Sequence, residues 1–208
     1  MAKVPGFLFV ITAPSGAGKT TLITRLRQEF SQIRFSISTT TRPPRPGEVD
    51  GRDYFFVDRD RFSGMVARDA FVEWAHIHGN DYGTSCEYVA SALDGGAEVL
   101  FDIDVQGFRA LQAQLGERAN YVFIAPPSLE VLERRLAARG TESPESLALR
   151  LKNARVELEA AGEFDFIVVN DDLERAYEEL RAVWLACHLR PQYRRGLFPA
   201  GDLDAHES

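Results

Sequence analysis

At 208 residues and 45% hydrophobic content, the chain can bury one substantial core with room for small inserted subdomains. A formal net charge of −7 argues against a surface that coats nucleic acid, so any anionic ligand must be held by local cations. Cys86 and Cys187 form no disulfide framework, and neither a leader nor a membrane-length apolar run is read, which points to reduced thiols in the cytoplasm.

The first element is a buried strand, "FLFVI" at 7–11. It leads directly into "APSGAGKTT", that is Ala13, Pro14, Ser15, Gly16, Ala17, Gly18, Lys19, Thr20 and Thr21. This stretch fits G-x-x-x-x-G-K-[ST] with Ala13 in place of the first glycine. Small residues let the backbone bend and turn its N–H groups outward. The helix that follows, read over 19–30 from the stripe Leu22, Ile23, Leu26 and Phe30, offers its N-terminus to an anion. The amides are therefore expected to cradle the phosphates of a nucleotide, with Lys19 on the β- and γ-phosphates and Thr20 on Mg²⁺.

Residues 34–96 break the rhythm with short alternating strands, turn signals and many aromatics, and read as a small mixed α+β insertion. Within it, "STTTRPPRPGE" places Arg42 and Arg45 in a proline-braced loop. Arginine forks bind phosphate oxygens at two points, and prolines reduce the entropy lost on ordering them; a solvated loop is the alternative. His76 and His78 read as polar positions on a half-exposed strand, since no third metal ligand accompanies them.

A second buried strand, "EVLFDID" at 98–104, ends in Asp102 and Asp104. Carboxylates at the end of an apolar strand need partners, and Mg²⁺ beside a phosphate loop is one, with a helix cap the alternative for Asp104. Further strands are read at 120–127 and 164–171, and a helix at 173–187. Between them, 128–162 reads as a charged two-helix flap split by "RGTES", with Ser143 as cap, carrying Arg135, Arg139 and Arg150. Arg59, Arg61, Arg68, Arg175 and Arg181 read as solvated helix faces, and 191–208 as a mobile tail. Apolar strands alternating with helices imply a parallel sheet covered on both faces. Phosphoryl transfer between two anions needs cations from several directions, and a phosphate acceptor needs no general base.

These motifs resemble the guanylate kinase family over about residues 5–188: "APSGAGKT", "SISTTTRPPRPGEVDGRDYFF", "FVEWAHIHGNDYGT", "FDIDVQG", "FIAPPS", "RRLAARGTES" and "VVNDDL", in family order. The resemblance implies an α/β P-loop three-layer fold with a central parallel sheet. The core would be 1–33, 97–127 and 163–190, the GMP-binding insertion 34–96 and the lid 128–162. It also implies Mg²⁺-dependent transfer from ATP to GMP, or dGMP. By the same resemblance the GMP phosphate falls to Arg42, Arg45, Tyr54 and Tyr82, and guanine to Ser38, Glu73 and Thr84 with Asp104 nearby. Glu48 would support the loop and Gly83 would let the backbone come close. Asp102 would hold the metal through water, Arg135, Arg139 and Arg150 would close over the phosphates, and Asn170 would lie near adenine. Asp81 and Thr84, like Ala13, depart from the usual family residues without removing a group the mechanism requires.

Chemistry supports the guanine assignment separately. Guanine offers adjacent N1–H and N2–H₂ donors that one carboxylate accepts together, and an O6 acceptor for hydroxyl donors. The competing readings are a kinase for another nucleoside monophosphate and a peptide-binding relative that has lost nucleotide chemistry.

Overall fold

Phe7, Phe9 and Ile11 point to one side of the first strand and Leu8 and Val10 to the other, and all five are buried. A strand apolar on both faces needs cover on both. The computed structural model describes residues 6–77, 79–138 and 144–194, and supplies that cover. Strand β1 (Phe7–Thr12) lies at the centre of a parallel sheet with β7 (Glu98–Asp102), β8 (Ala119–Ala125), β2 (Arg34–Phe35) and β9 (Phe166–Val169), in the order β2-β7-β1-β8-β9. On one side, Leu22 and Leu26 of α1 (Lys19–Glu29) and Leu180 and Trp184 of α7 (Leu173–Cys187) pack on Phe7, Phe9 and Ile11. On the other, Val89 of α3 (Cys86–Gly95) and Phe108 and Leu111 of α4 (Val105–Leu115) pack on Leu8 and Val10. This is the three-layer P-loop arrangement.

A second sheet has the order β4-β3-β6-β5: β3 (Thr39–Thr40), β4 (Phe55–Phe56), β5 (Phe71–Ile77) and β6 (Asn80–Ser85), with α2 (Arg59–Ala67) between β4 and β5. In β5 the register slips between Phe71 and Glu73. The bulge turns the Phe71 ring onto Phe62, centroids 4.6 Å apart, while Val72 enters the central core and Glu73 is buried beside it. Helices α5 (Leu129–Ala137) and α6 (Pro144–Glu159) form their own small cluster around Leu132, Leu136 and Ala154.

Three boundaries differ from the sequence reading. The stretch 34–96 begins and ends in the core, because β2 pairs with β7 and Gly6 N–H bonds Leu93 O at 3.1 Å on α3. Strand β9 is the edge of the sheet, so Ile167 and Val169 stay exposed and only Val168 is fully buried. Residues 191–194 are held down: the Tyr193 ring packs 4.9 Å from Phe7 and its hydroxyl accepts from Asn120 Nδ2 at 3.0 Å. The remainder of the expected tail, Ser143, His78 and Arg139 lie outside the described residues. No helix among the described residues is long and apolar enough to cross a membrane.

Candidate active site

Parallel strands put their C-terminal ends on one edge, and open α/β sheets bind ligands there. Thr12 of β1 leads there into the phosphate loop, and Asp102 ends β7 beside Ile11. The loop's glycines are required: Gly16 and Gly18 have φ of 90° and 95°, and a Cβ on Gly18 would stand 2.2 Å from Asn170 Nδ2. Among the described non-glycine residues only Asp69 has positive φ, so Ala13 needs no glycine conformation and the departure there is harmless. Helix α1 has no side-chain cap and no acidic residue in its first turn, which leaves its N–H groups and dipole to a ligand.

Two cavities meet at this edge. One, of about 630 Å³, is lined by Ser15, Thr20 and Thr21 of the loop and by Asn153 and Glu157 of α6. The other, of about 320 Å³, is lined by Ser36, Ser38, Tyr54, Glu73 and Tyr82. Lys19 and Asp104 line both. The Lys19 ammonium is ion-paired with Asp102 and lies 3.4 Å from Ile103 O. Asp104 also caps α4, accepting from Gly107 N–H at 2.8 Å, so the cap and the cavity share one carboxylate.

Glu73, in the lining of the smaller cavity, is buried, and Thr84 Oγ1 donates to its Oε1 at 2.5 Å. Burial pushes the Glu73 carboxyl up to about 7; the Thr84 bond opposes this and Asp104 adds to it. Arg42, Arg45 and Glu48 line neither cavity; Glu48 accepts from Arg42 Nη2 at 2.8 and 3.0 Å and from Arg45 N–H at 2.7 Å, which fixes the proline-braced loop. The Arg42 guanidinium holds the Glu48 carboxyl below its usual range and lies 5.2 Å from the Tyr54 ring. Tyr54 and Tyr82 meet edge-on with centroids 6.1 Å apart.

From the flap, Arg150 Nη1 donates to Ser15 Oγ at 3.1 Å. Arg135 Nη2 donates to Asn170 O at 2.9 Å, while its Nη1 is buried with no hydrogen-bond partner among the described residues. A buried guanidinium donor in that condition suits an anion.

The guanylate kinase family model matches residues 7–186. The guanylate kinase of Nitratidesulfovibrio vulgaris is 54% identical over 91% of this chain and 91% of its own. The chain belongs to the guanylate kinase family. The guanylate kinase of Dechloromonas aromatica is 51% identical over 86% of this chain and 88% of its own. A crystal structure of the Anaplasma phagocytophilum guanylate kinase aligns at a TM-score of 0.72 with 30% identity, covering 94% and 93% of the two chains.

In this guanylate kinase family member, the structure adds packing and hydrogen-bond contacts to two of the expected site residues. Asn170 lies near the loop, but its amide is committed: Nδ2 donates to Ala17 O at 2.7 Å, and the residue lines neither cavity. It supports the phosphate loop from behind, where the buried amide finds a carbonyl. The bare Cα of Gly83 faces the Phe71 ring, 2.8 Å from where a Cβ would stand, so packing requires the glycine. Asp81 finds a partner in His76, Nδ1 to Oδ1 at 2.6 Å.

Two residues escaped the sequence reading. Ser36 is buried in the cavity wall with no partner for its hydroxyl among the described residues, and its alternation with Ser38 in "SIS" was the available signal. Glu157 faces the phosphate loop from α6, pushed up to about 7 by burial and Asp104 and eased by Lys19. In sequence it is one charge among many on a helix.

Proposed function

We infer that the chain is a guanylate kinase, transferring the γ-phosphoryl group of ATP to GMP to give ADP and GDP. The observation that carries this is the meeting of two cavities at Lys19, one walled by the phosphate loop and the other lined by Glu73 of the Glu73–Thr84 pair. ATP lies along the loop, its phosphates on the α1 amides and Lys19. The GMP phosphate is held by Arg42, Arg45, Tyr54 and Tyr82. Glu73 accepts both N1–H and N2–H₂ of guanine and Ser38 serves O6, while Thr84, whose one hydroxyl proton is donated to Glu73 Oε1 in the structure, holds that carboxylate in place. Arg135, Arg139 and Arg150 offset the charge that develops on the transferring group. Asp102 and Thr20 fit Mg²⁺, which takes one or two protein oxygens and fills its shell with phosphates and water. When bound, the metal neutralises phosphate charge. The 2′-hydroxyl is read by none of these groups, which leaves dGMP as an acceptor. The enzyme works in the cytoplasm.

Calorimetric titration with GMP, AMP and UMP tests the base assignment. GMP should bind far more tightly than AMP, whose bare N1 leaves Glu73 unpaired; equal affinities would refute it. Glu73→Gln presents one acceptor and a misplaced donor. GMP binding should then weaken roughly tenfold to a hundredfold, from charged hydrogen bonds worth about 1.5–3 kcal/mol.

A pH dependence follows. Glu73 holds its proton up to about 7 in the structure, and guanine needs the ionised form, so GMP affinity should rise from about pH 6 to about pH 8. The Glu73→Gln variant should keep only the component due to the GMP phosphate, whose second pKa is about 6. The sign for stability is opposite. Between 4.5 and about 7 the folded state binds the extra proton, so the group's contribution to stability is lost as pH rises through that window. Melting temperatures of the wild type and Glu73→Gln across this range measure it.

A further inference from the structure

Gly107 lies in the first turn of α4, and its backbone is not in the left-handed region that demands glycine. Alanine is the better helix former, so local structure gives no reason for glycine here. Space does. A Cβ on Gly107 would stand 2.9 Å from Glu73 Oε2, 3.3 Å from Glu73 Cδ and 3.3 Å from Ile103 Cβ. The carboxylate oxygen must give by about 0.5 Å to reach an ordinary contact with a methyl group there. The carboxylate is held through its other oxygen, Oε1, by the 2.5 Å bond from Thr84 Oγ1, and by the bulge that buries Glu73.

We propose that Gly107 is a positioning residue that sets how deep the Glu73 carboxylate sits and thereby the choice of guanine. The inference rests on the reading of Glu73 as the guanine acceptor. Accepting two adjacent donors requires both oxygens in the plane of the base. A methyl group behind Oε2 pushes the carboxylate into the base's space or breaks the Thr84 bond, and either change spoils the two-point geometry. The closest atom is the far end of a side chain, so the larger cost falls on recognition; Ile103 Cβ must also give by a few tenths of an ångström, which adds a smaller cost to folding.

The test is calorimetry and thermal unfolding of Gly107→Ala, Glu73→Gln and Glu73→Asp, and of Gly107→Ala in the Glu73→Asp background, with GMP, IMP and ATP as ligands. Gly107→Ala should stay folded, melting at most a few degrees below wild type, and bind ATP unchanged. Its GMP affinity should fall roughly tenfold or more, as misplacement of a positioned group does. IMP, which lacks the 2-amino group, should lose less, so the preference for GMP over IMP shrinks. In the Glu73→Asp background the shorter side chain leaves room, and adding Gly107→Ala should cost little further GMP affinity. That pair also decides the matter should the single variant fail to accumulate. Wild-type GMP affinity in Gly107→Ala, or an equal loss in both backgrounds, would overturn the proposal if Glu73→Gln is impaired. Unimpaired binding in Glu73→Gln would remove the underlying reading of Glu73, and the role of Gly107 with it.

Discussion

Lys19→Ala is expected to lower turnover by about 10²–10³, the usual cost of removing one preorganised charge-stabilising donor. GMP affinity should change by no more than a few-fold. Lys19 lines both cavities and is ion-paired with Asp102, whereas Ser38 and Glu73, assigned to guanine, line only the smaller one. Steady-state kinetics and a direct GMP titration separate the two effects. A GMP affinity that fell as steeply as turnover would refute the assignment of Lys19 to the donor phosphates.

Arg150→Ala should act more strongly still on the chemical step. An arginine that meets the transferring phosphoryl can contribute roughly 10³–10⁵ in rate. In the structure Arg150 reaches the loop, 3.1 Å from Ser15 Oγ, so the flap's cation already stands beside the donor site. We expect kcat to fall by about 10³ with small changes in both KM values. The second sheet carries Arg42 and Arg45, and surrounding the same phosphoryl group requires it to approach the flap. Closure also excludes water that would compete as acceptor. Fluorescence distances between the second sheet and α6 should shorten when both nucleotides are bound; an unchanged distance contradicts closure.

Much of this site is legible in sequence because its parts are local. The phosphate loop is one run of nine residues between a strand and a helix, and Arg42, Arg45 and Glu48 form one braced loop. What was not legible depends on contacts between distant segments. Strand β2 is only two residues long and is a strand because β7 pairs with it. Asn170 could be placed near the nucleotide by its motif, yet only the fold shows its amide spent on Ala17, 153 positions away. Glu73 owes its burial to a bulge and to a glycine on another element. The alternation of "FVEWAHI" alone puts Phe71 and Glu73 on one face, and the bulge separates them.

The most direct test of the account is ADP release by the full chain with MgATP, comparing GMP, AMP and UMP as acceptors, alongside Glu73→Gln. Rapid release with GMP is expected, with little above background for AMP or UMP and a marked loss for GMP in the variant. Equal rates with the three acceptors, or GMP kinetics unaltered by Glu73→Gln, would contradict it.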